Sequence, residues 1–308
     1  MSYSPIAIWI RAFRLHFVIP AMLPALLGSV IAWSQGYPFH ILNFLLVMIG
    51  ITLNSMGLNM LDDVIDFKNA ADRKLNSEKN PYSGGSGVLT GNMLTAGKML
   101  AASVLCFAGT TFTGAYLFWV CGWPVLFLAL FGLLSSIFYT TPPIKFGYRG
   151  FGELGLLVNF GPVIVLGAYF VQTGRFGLEP LLASLILGLI MWSMIIINEI
   201  PDYEDDRHAC KWNLVARFGR HAGLMLYIIG LIAAYAVLIL MVLTSVSSPL
   251  VLFGLISLPW ALHSILVAGR FLDNPIHIAP ANLSIIKAHT VTGLGLIMSY
   301  LVNGLLRH

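Results

Sequence analysis

Acidic and amide side chains that could bind a cation crowd into one short stretch of this sequence. Asn59, Asp62, Asp63 and Asp66 are spaced i, i+3, i+4 and i+7, and Asp72 follows six residues later. On a continuing helix the first four side chains share one face. Carboxylates this close repel one another, and a bound multivalent cation relieves the repulsion. The stretch therefore predicts a metal site.

A second acidic cluster follows 136 residues further along the chain. Asn198, Asp202 and Asp206 are spaced i, i+4 and i+8, and Lys211 comes shortly after them. Pro201 ends or kinks the helix here, so one straight helical face is not expected. Oxygen ligands without histidine, beside Lys and Arg, favour Mg²⁺ holding a phosphate-type ligand. Two such clusters could hold two ions that bridge one diphosphate.

Two residues of the segment YTTPPIKFGYRG, residues 139–150, are further candidates. Lys145 lies between prolines and aromatic residues, which makes it a candidate for a fixed anion partner. Tyr139 precedes it by six residues in the same connection and is expected near the same face of the membrane. Arg149 is interpreted instead as a basic residue that sets the topology. A Gly/Ser run at residues 83–87 is either a phosphate contact or a flexible connection.

These residues must be positioned by membrane helices. The chain has 308 residues, of which 58% are hydrophobic and 10% charged, and its mean hydropathy is +0.85. Soluble domains carry about 25% charged residues, so the composition indicates an integral membrane protein in a lipid bilayer. In such a protein a net charge of +4 reflects orientation, and no nucleic-acid partner is expected.

Charge-free intervals predict nine transmembrane helices, since about 20 helical residues cross a bilayer core. Together they form an all-α membrane protein, a single domain over residues 1–308 with a central cavity and polar cytoplasmic loops. Residues 3–13 are predicted to form a short interfacial helix. The intervals are 15–61, 99–144 and 221–269 with two helices each, and 154–174, 180–198 and 288–306 with one each.

Charge asymmetry predicts the orientation. With nine helices, the N-terminus and four connections lie on one side and hold 15 of the 17 Lys and Arg residues. By the positive-inside rule this side is cytoplasmic, which places the chain in the cytoplasmic (inner) membrane. Twelve of the thirteen acidic residues are on the same side. The polar chemistry is therefore expected at the cytoplasmic face.

With both clusters on a nine-helix frame, the sequence resembles the UbiA superfamily of intramembrane prenyltransferases. The first family motif, N-D-x-x-D continuing as D-F-x-x-G-x-D, is matched from Asp62 to Asp72. Asp62 stands where Asn is usual, and Ala70 where Gly is usual. The second motif, D-x-x-x-D followed by a basic residue and G-K-x-T-L, is matched from Asp202 to Leu214.

Further details are similar to one branch of the superfamily. Cys210 and Asn213 replace the Gly and Thr of the second motif, whereas Tyr139 and Lys145 resemble a Tyr and Lys of the family. The stretches D-F-K-N-x-x-D and G-F-G-E-L, and residues 167–174, are similar to the 1,4-dihydroxy-2-naphthoate prenyltransferases of menaquinone synthesis.

The resemblance implies an Mg²⁺-dependent transfer of an isoprenyl group from a polyprenyl diphosphate donor to an aromatic acceptor. Metal ligands would be Asp62, Asp66, Asp72, Asp202 and Asp206. Substrate contacts would come from Asn59, Arg73, Lys145, Asn198 and Lys211. Among the catalytic residues, Tyr139 would orient the head group or shield the cation, and Lys145 would neutralise charge on the leaving diphosphate. Asp63 or Asp66 would accept the acceptor proton.

Other functions stay open from the sequence. The acceptor could instead be 4-hydroxybenzoate, homogentisate or a glyceryl phosphate lipid. A membrane transporter also places carboxylates in its helices, but usually near the bilayer midplane. A non-catalytic lipid-binding homologue is a third reading. Acids that cluster at helix ends on one face favour the enzyme.

Overall fold

The computed structural model of the protein describes residues 4–69, 80, 82 and 85–307. Within these ranges the chain forms helices and short connections, with no strand. The helices are α1 (Pro5–Phe13), α2 (Leu15–Ser34), α3 (Ile41–Lys68), α4 (Ala96–Cys121), α5 (Trp123–Phe138), α6 (Gly152–Thr173), α7 (Leu178–Glu199), α8 (Tyr203–His208), α9 (Leu214–Phe218), α10 (Arg220–Leu243), α11 (Pro249–Arg270) and α12 (Ala279–Arg307). A 3₁₀ turn, Phe146–Arg149, precedes α6.

Eight of the described helices are long and apolar enough to cross a membrane, namely α2, α3, α4, α6, α7, α10, α11 and α12. The apolar helix α5 has 16 residues and is shorter than the others. Each of the three intervals predicted to hold two helices contains two helices in the structure. Gly36 and Gly122 adopt φ values of +87° and +85° at the breaks within two of these intervals, a conformation that glycine reaches without steric cost. α1 is the short N-terminal helix that the sequence predicts.

The helices α7 and α4 differ in how much of their apolar surface is buried. α7 lies in the core, where it packs against α10, α6 and α12, and Ile186, Ile190 and Ile197 are completely buried. α4 packs along α3 and exposes large apolar side chains, including Phe112 and Trp119. An outward face of this composition suits contact with lipid.

The polar ends of α3 and α7 are built differently. α3 continues as a regular helix through Lys68, so Asn59, Asp62, Asp63 and Asp66 lie on one helix, as their spacing predicts. α7 ends at Glu199, and the chain turns at residues 200–202 before α8 begins at Tyr203. Pro201 stands in this turn, where the predicted helix end is therefore confirmed. The turn allows the second cluster to bend toward the first.

Candidate functional site

A polar cavity lies where the ends of α3 and α7 meet the residues that follow α8. Its lining joins side chains that are far apart in the sequence. Those with polar groups are Arg14, Ser55, Asn59, Asp62, Asp66, Tyr82, Tyr139, Asn198, Glu199, Asp202, Asp206 and Lys211. Members of both acidic clusters therefore face one space.

Asp66 is held at both of its carboxylate oxygens. The Tyr148 hydroxyl donates a hydrogen bond of 2.5 Å to Oδ1, and Lys211 Nζ lies 3.0 Å from Oδ2. Burial alone would lower the pKa of the Lys211 ammonium, but the nearby carboxylates, Asp66 first, raise it well above its ordinary value. Burial also raises the pKa of the Tyr148 phenol. Both groups therefore keep their protons and donate to Asp66.

Asp62 borders the cavity, and one of its oxygens has no hydrogen-bond partner among the described residues. Arg14 Nη1 lies 3.9 Å from its Oδ2. Its Oδ1 is buried and accepts no hydrogen bond in the part of the chain that the structure describes. A buried carboxylate oxygen without a donor is costly, and a bound cation would satisfy it.

Asp63 is turned away from the cavity. Its two oxygens lie 3.2 and 3.1 Å from the backbone N–H of Ser86, and Arg14 Nη1 lies 3.5 Å from Oδ1. The side chain is almost fully buried, and it is not part of the cavity lining. Asp63 therefore ties α3 to the loop before α4.

The second cluster contributes Asp202 and Asp206 to the lining. Asp206 Oδ2 accepts a hydrogen bond of 2.6 Å from the side chain of Asn213. Burial raises the pKa of Asp206 to about 8; Lys211 opposes this, whereas the carboxylates of Asp202 and Asp66 add to it. A divalent cation bound beside these carboxylates would add positive charge to this buried site.

Tyr139 and Lys145 have different surroundings, although the sequence predicts both near the site. Tyr139 lines the cavity, and burial raises the pKa of its phenol well above the ordinary value, so it stays neutral. Lys145 is not part of the lining; its Nζ lies 5.0 Å from the centre of the Tyr148 ring. Lys211 instead brings a positive charge into the cavity. Asp72 and Arg73 lie outside the described residues.

Several residues at the site were not among the sequence candidates, and three of them are charged or bind Asp66. Arg14 follows α1 and reaches the acids of α3, and Tyr148 binds Asp66 from the 3₁₀ turn. Glu199 lines the cavity beside Asn198. It could have been found because it stands next to the second cluster, as an acid at the end of an apolar span. Nothing in the sequence spacing indicates that Arg14 or Tyr148 reaches α3.

The donor set fits a metal that needs few protein ligands. No group of three or more His, Cys, Asp or Glu side chains among the described residues is close enough to form a complete metal site. Mg²⁺ usually binds one or two carboxylates and completes its shell with water and substrate phosphate. The lining contains five carboxylates against the two cationic side chains of Arg14 and Lys211. With this excess of acidic side chains, the cavity favours binding of a cation, and a bound cation would in turn favour binding of an anionic substrate.

A second, apolar cavity adjoins the polar one. It lies among α2, α3, α4, α5 and α6, and its lining includes Val47, Phe118 and Leu133. Ser55 and Phe160 line both cavities. A molecule with a charged head and a long hydrocarbon tail could therefore place its head among the acids and its tail between the helices.

Residues 21–275 match the model of the UbiA prenyltransferase family. The chain belongs to this family of enzymes that transfer prenyl groups, and it is a multi-pass membrane protein. The family membership predicted from the two acidic motifs is confirmed.

Two similar proteins and one solved structure match this chain over most of their length. A 2-carboxy-1,4-naphthoquinone phytyltransferase of Synechocystis sp. is 25% identical over 298 residues, which cover 95% of this chain and 92% of that protein. A 1,4-dihydroxy-2-naphthoate octaprenyltransferase of Bacillus subtilis is 24% identical over 93% of this chain and 91% of its own length. The solved structure of a UbiA homolog from Archaeoglobus fulgidus, bound to GPP and Mg²⁺, has a TM-score of 0.65 at 13% identity. It covers 94% of this chain and 99% of that one, and it shows the shared fold.

Proposed function

We propose that this protein transfers a polyprenyl group from its diphosphate to 1,4-dihydroxy-2-naphthoate or a closely related aromatic acceptor, as in menaquinone synthesis. The observation that carries the proposal is the convergence of both acidic clusters on one polar cavity that adjoins an apolar one. The names of the similar proteins from Synechocystis sp. and Bacillus subtilis support a naphthoate-type acceptor.

Asp62, Asp66, Asp202 and Asp206 are the residues proposed to hold Mg²⁺, with Asn59 beside them. Asp62 supports this assignment because its buried Oδ1 has no partner among the described residues. Asp72 stays a prediction for the same role. When bound, Mg²⁺ would neutralise charge on the diphosphate as it leaves.

The cationic side chains of the cavity contact the diphosphate in this proposal. Lys211 and Arg14 both line the cavity, and hydrogen bonds from charged donors are about twice as strong as neutral ones. Asn198 also contacts the head group. Lys145 and Arg73, which the sequence predicts as substrate contacts, stay predictions. The breaking bond is the one between the prenyl C1 and the diphosphate oxygen, so these groups stabilise the charge that develops on the leaving group.

The prenyl cation needs a dry environment and the acceptor must lose a proton. Tyr139 is neutral and lines the cavity, so its ring can face the cation. Of the two predicted proton acceptors, Asp66 borders the cavity and Asp63 does not; we retain Asp66. Ser55 and Phe160 mark the junction through which the tail would enter the apolar cavity.

The topology is part of the proposal. We infer nine membrane crossings around a central cavity, with α5 as the ninth, because its sequence is apolar although it has only 16 residues. Residues 1–308 form one domain. The N-terminus and the loops that carry the acids face the cytoplasm, since 15 of the 17 basic residues fall on that side.

The proposal is tested with purified protein, Mg²⁺, geranylgeranyl diphosphate and a panel of aromatic acceptors. We expect the 1,4-dihydroxy-2-naphthoate product, and we expect Asp66→Ala and Asp202→Ala to abolish it. Asp273→Ala is the matched control, because Asp273 is 75% exposed and does not line the cavity. Absence of any prenylated product, or unchanged turnover in both cavity variants, would contradict the proposal.

A further inference from the structure

Three buried asparagines form a hydrogen-bonded chain from the loop before α4 to the polar cavity. Asn80, Asn282 and Asn198 are 1%, 0% and 6% exposed, respectively. Asn80 Nδ2 donates to Asn282 Oδ1 at 3.1 Å, and Asn282 Nδ2 donates to Asn198 Oδ1 at 2.7 Å. Of the three, only Asn198 lines the cavity.

Backbone groups fix the direction of this chain. Asn282 Nδ2 also donates to the carbonyl oxygen of Ile197 at 3.0 Å. A carbonyl only accepts hydrogen bonds, so the amide nitrogen of Asn282 must be the atom that faces α7. At the other end, Asn80 Nδ2 donates to the Pro275 carbonyl at 3.1 Å, and its Oδ1 accepts from the Tyr82 N–H at 3.0 Å. Asn282 therefore receives from Asn80 and donates to Asn198.

The direction decides which atom Asn198 offers to the cavity. Its oxygen is engaged by Asn282, so its NH₂ group is the end left for the cavity. The side chain of Asn59 has the opposite orientation. Its Nδ2 donates to the Phe13 carbonyl at 3.0 Å, so its oxygen is the atom available to the cavity. An amide oxygen can bind Mg²⁺, whereas an amide NH₂ group can only donate hydrogen bonds, for example to a diphosphate oxygen.

We propose that Asn282 is a positioning residue that holds Asn198 as a hydrogen-bond donor to a diphosphate oxygen, not as a metal ligand. The inference rests on the proposed function, since the anion is the diphosphate of the prenyl donor. It adds a residue of α12, 84 positions from Asn198, to the substrate site.

A double-mutant cycle tests the positioning. Asn282→Leu should raise the KM for geranylgeranyl diphosphate about 10-fold, because a hydrogen bond to a charged group is lost. The kcat should change less than about twofold, since the bond exists before and during the reaction. In an Asn198→Ala background, Asn282→Leu should change this KM by less than about twofold, because the residue that Asn282 positions is already missing. An equal effect of Asn282→Leu with and without Asn198 would overturn the proposal.

A second variant leaves Asn282 unchanged and tests the donor. Asn198→Asp keeps an oxygen for Asn282 but replaces the NH₂ group by a carboxylate oxygen. We expect the donor KM to rise at least about 10-fold and the half-saturating Mg²⁺ concentration not to fall. If Asn198 were a metal ligand, the carboxylate would lower that Mg²⁺ concentration, and the proposal would be wrong. Asn303→Asp is the control. It makes the same Asn-to-Asp change in α12, about 30 Å along the helix from Asn282.

The two hypotheses fail in different ways. If the wild type prenylates no aromatic acceptor, the proposed function fails. The positioning can then still be tested by calorimetry, which measures the binding of pyrophosphate with Mg²⁺ to Asn282→Leu, Asn198→Asp and the wild type. Weaker binding by both variants supports the positioning. Wild-type affinity in both variants, with correct folding shown by thermal unfolding, refutes it.

Discussion

Replacing Lys211 with methionine would remove the positive charge at the centre of the proposed site. Lys211 Nζ lies 3.0 Å from Asp66 Oδ2, and the two side chains are only 14% and 8% exposed. Asp206 and Asp62 are close enough to raise its pKa further. Methionine keeps most of the length and apolar volume of the side chain, so the change isolates the charge.

The expected magnitude follows from the burial of this pair. A hydrogen bond to a charged group contributes about 1.5–3 kcal/mol, so kcat/KM for the prenyl diphosphate should fall by about 10- to 150-fold. Removing one partner of a buried ion pair destabilises a protein by about 3–5 kcal/mol. Mg²⁺ near Asp66 would replace part of the missing charge. The loss of thermal stability should therefore be larger in EDTA than in Mg²⁺.

The assay measures kcat/KM for geranylgeranyl diphosphate, and thermal unfolding with EDTA or with Mg²⁺. Lys98→Met is the matched control, because Lys98 is exposed at the start of α4. Its kinetics should stay within about twofold of wild type.

Two results would refute the reasoning about Lys211. If Lys211→Met keeps wild-type kcat/KM, the lysine does not contact the diphosphate. If its stability loss is the same in EDTA and in Mg²⁺, no metal compensates the charge of Asp66.

Three further predictions follow from the geometry of the cavities. Asp202→Asn should raise the half-saturating Mg²⁺ concentration at least about 10-fold, and EDTA should stop turnover of the wild type. An unchanged Mg²⁺ dependence in Asp202→Asn would show that Asp202 is not a metal ligand. Phe160→Trp should lower kcat/KM for geranylgeranyl diphosphate more than for geranyl diphosphate, because it narrows the junction of the cavities. Phe127→Trp, at a 67% exposed position, should affect neither donor, and equal losses for both donors in Phe160→Trp would contradict the junction. Gly152→Ala would place a Cβ 3.0 Å from the Gly147 Cα and 3.2 Å from the Tyr139 ring. It should therefore cost about 1–3 kcal/mol in stability and lower kcat, and unchanged thermal unfolding would show that neither neighbour is confined.

Much of the fold could be predicted from the sequence, because a bilayer imposes its thickness on every helix that crosses it. Long charge-free intervals gave the apolar helices and their breaks without any knowledge of how they pack. Family membership was equally accessible, since the spacing of Asp62, Asp66, Asp202 and Asp206 is a local property of two short segments.

The sequence could not decide which charges face the cavity, since that depends on packing between distant segments. Lys145 and Lys211 look alike as basic residues near acidic motifs, yet Lys211 lines the cavity and Lys145 lies over the Tyr148 ring. Asp62 and Asp63 are neighbours, but one helical step of about 100° separates them, and only Asp62 faces the cavity.

The sequence by itself therefore determined the membrane helices, the acidic motifs and the family, because these depend on local composition and spacing. Tertiary structure decided which side chains meet and which atoms they offer. Arg14 and Tyr148 reach the acids of α3 from other parts of the chain. The amide of Asn198 is directed by Asn282, 84 residues away. An amide carries a donor and an acceptor on one short side chain, and only its packed neighbours select between them.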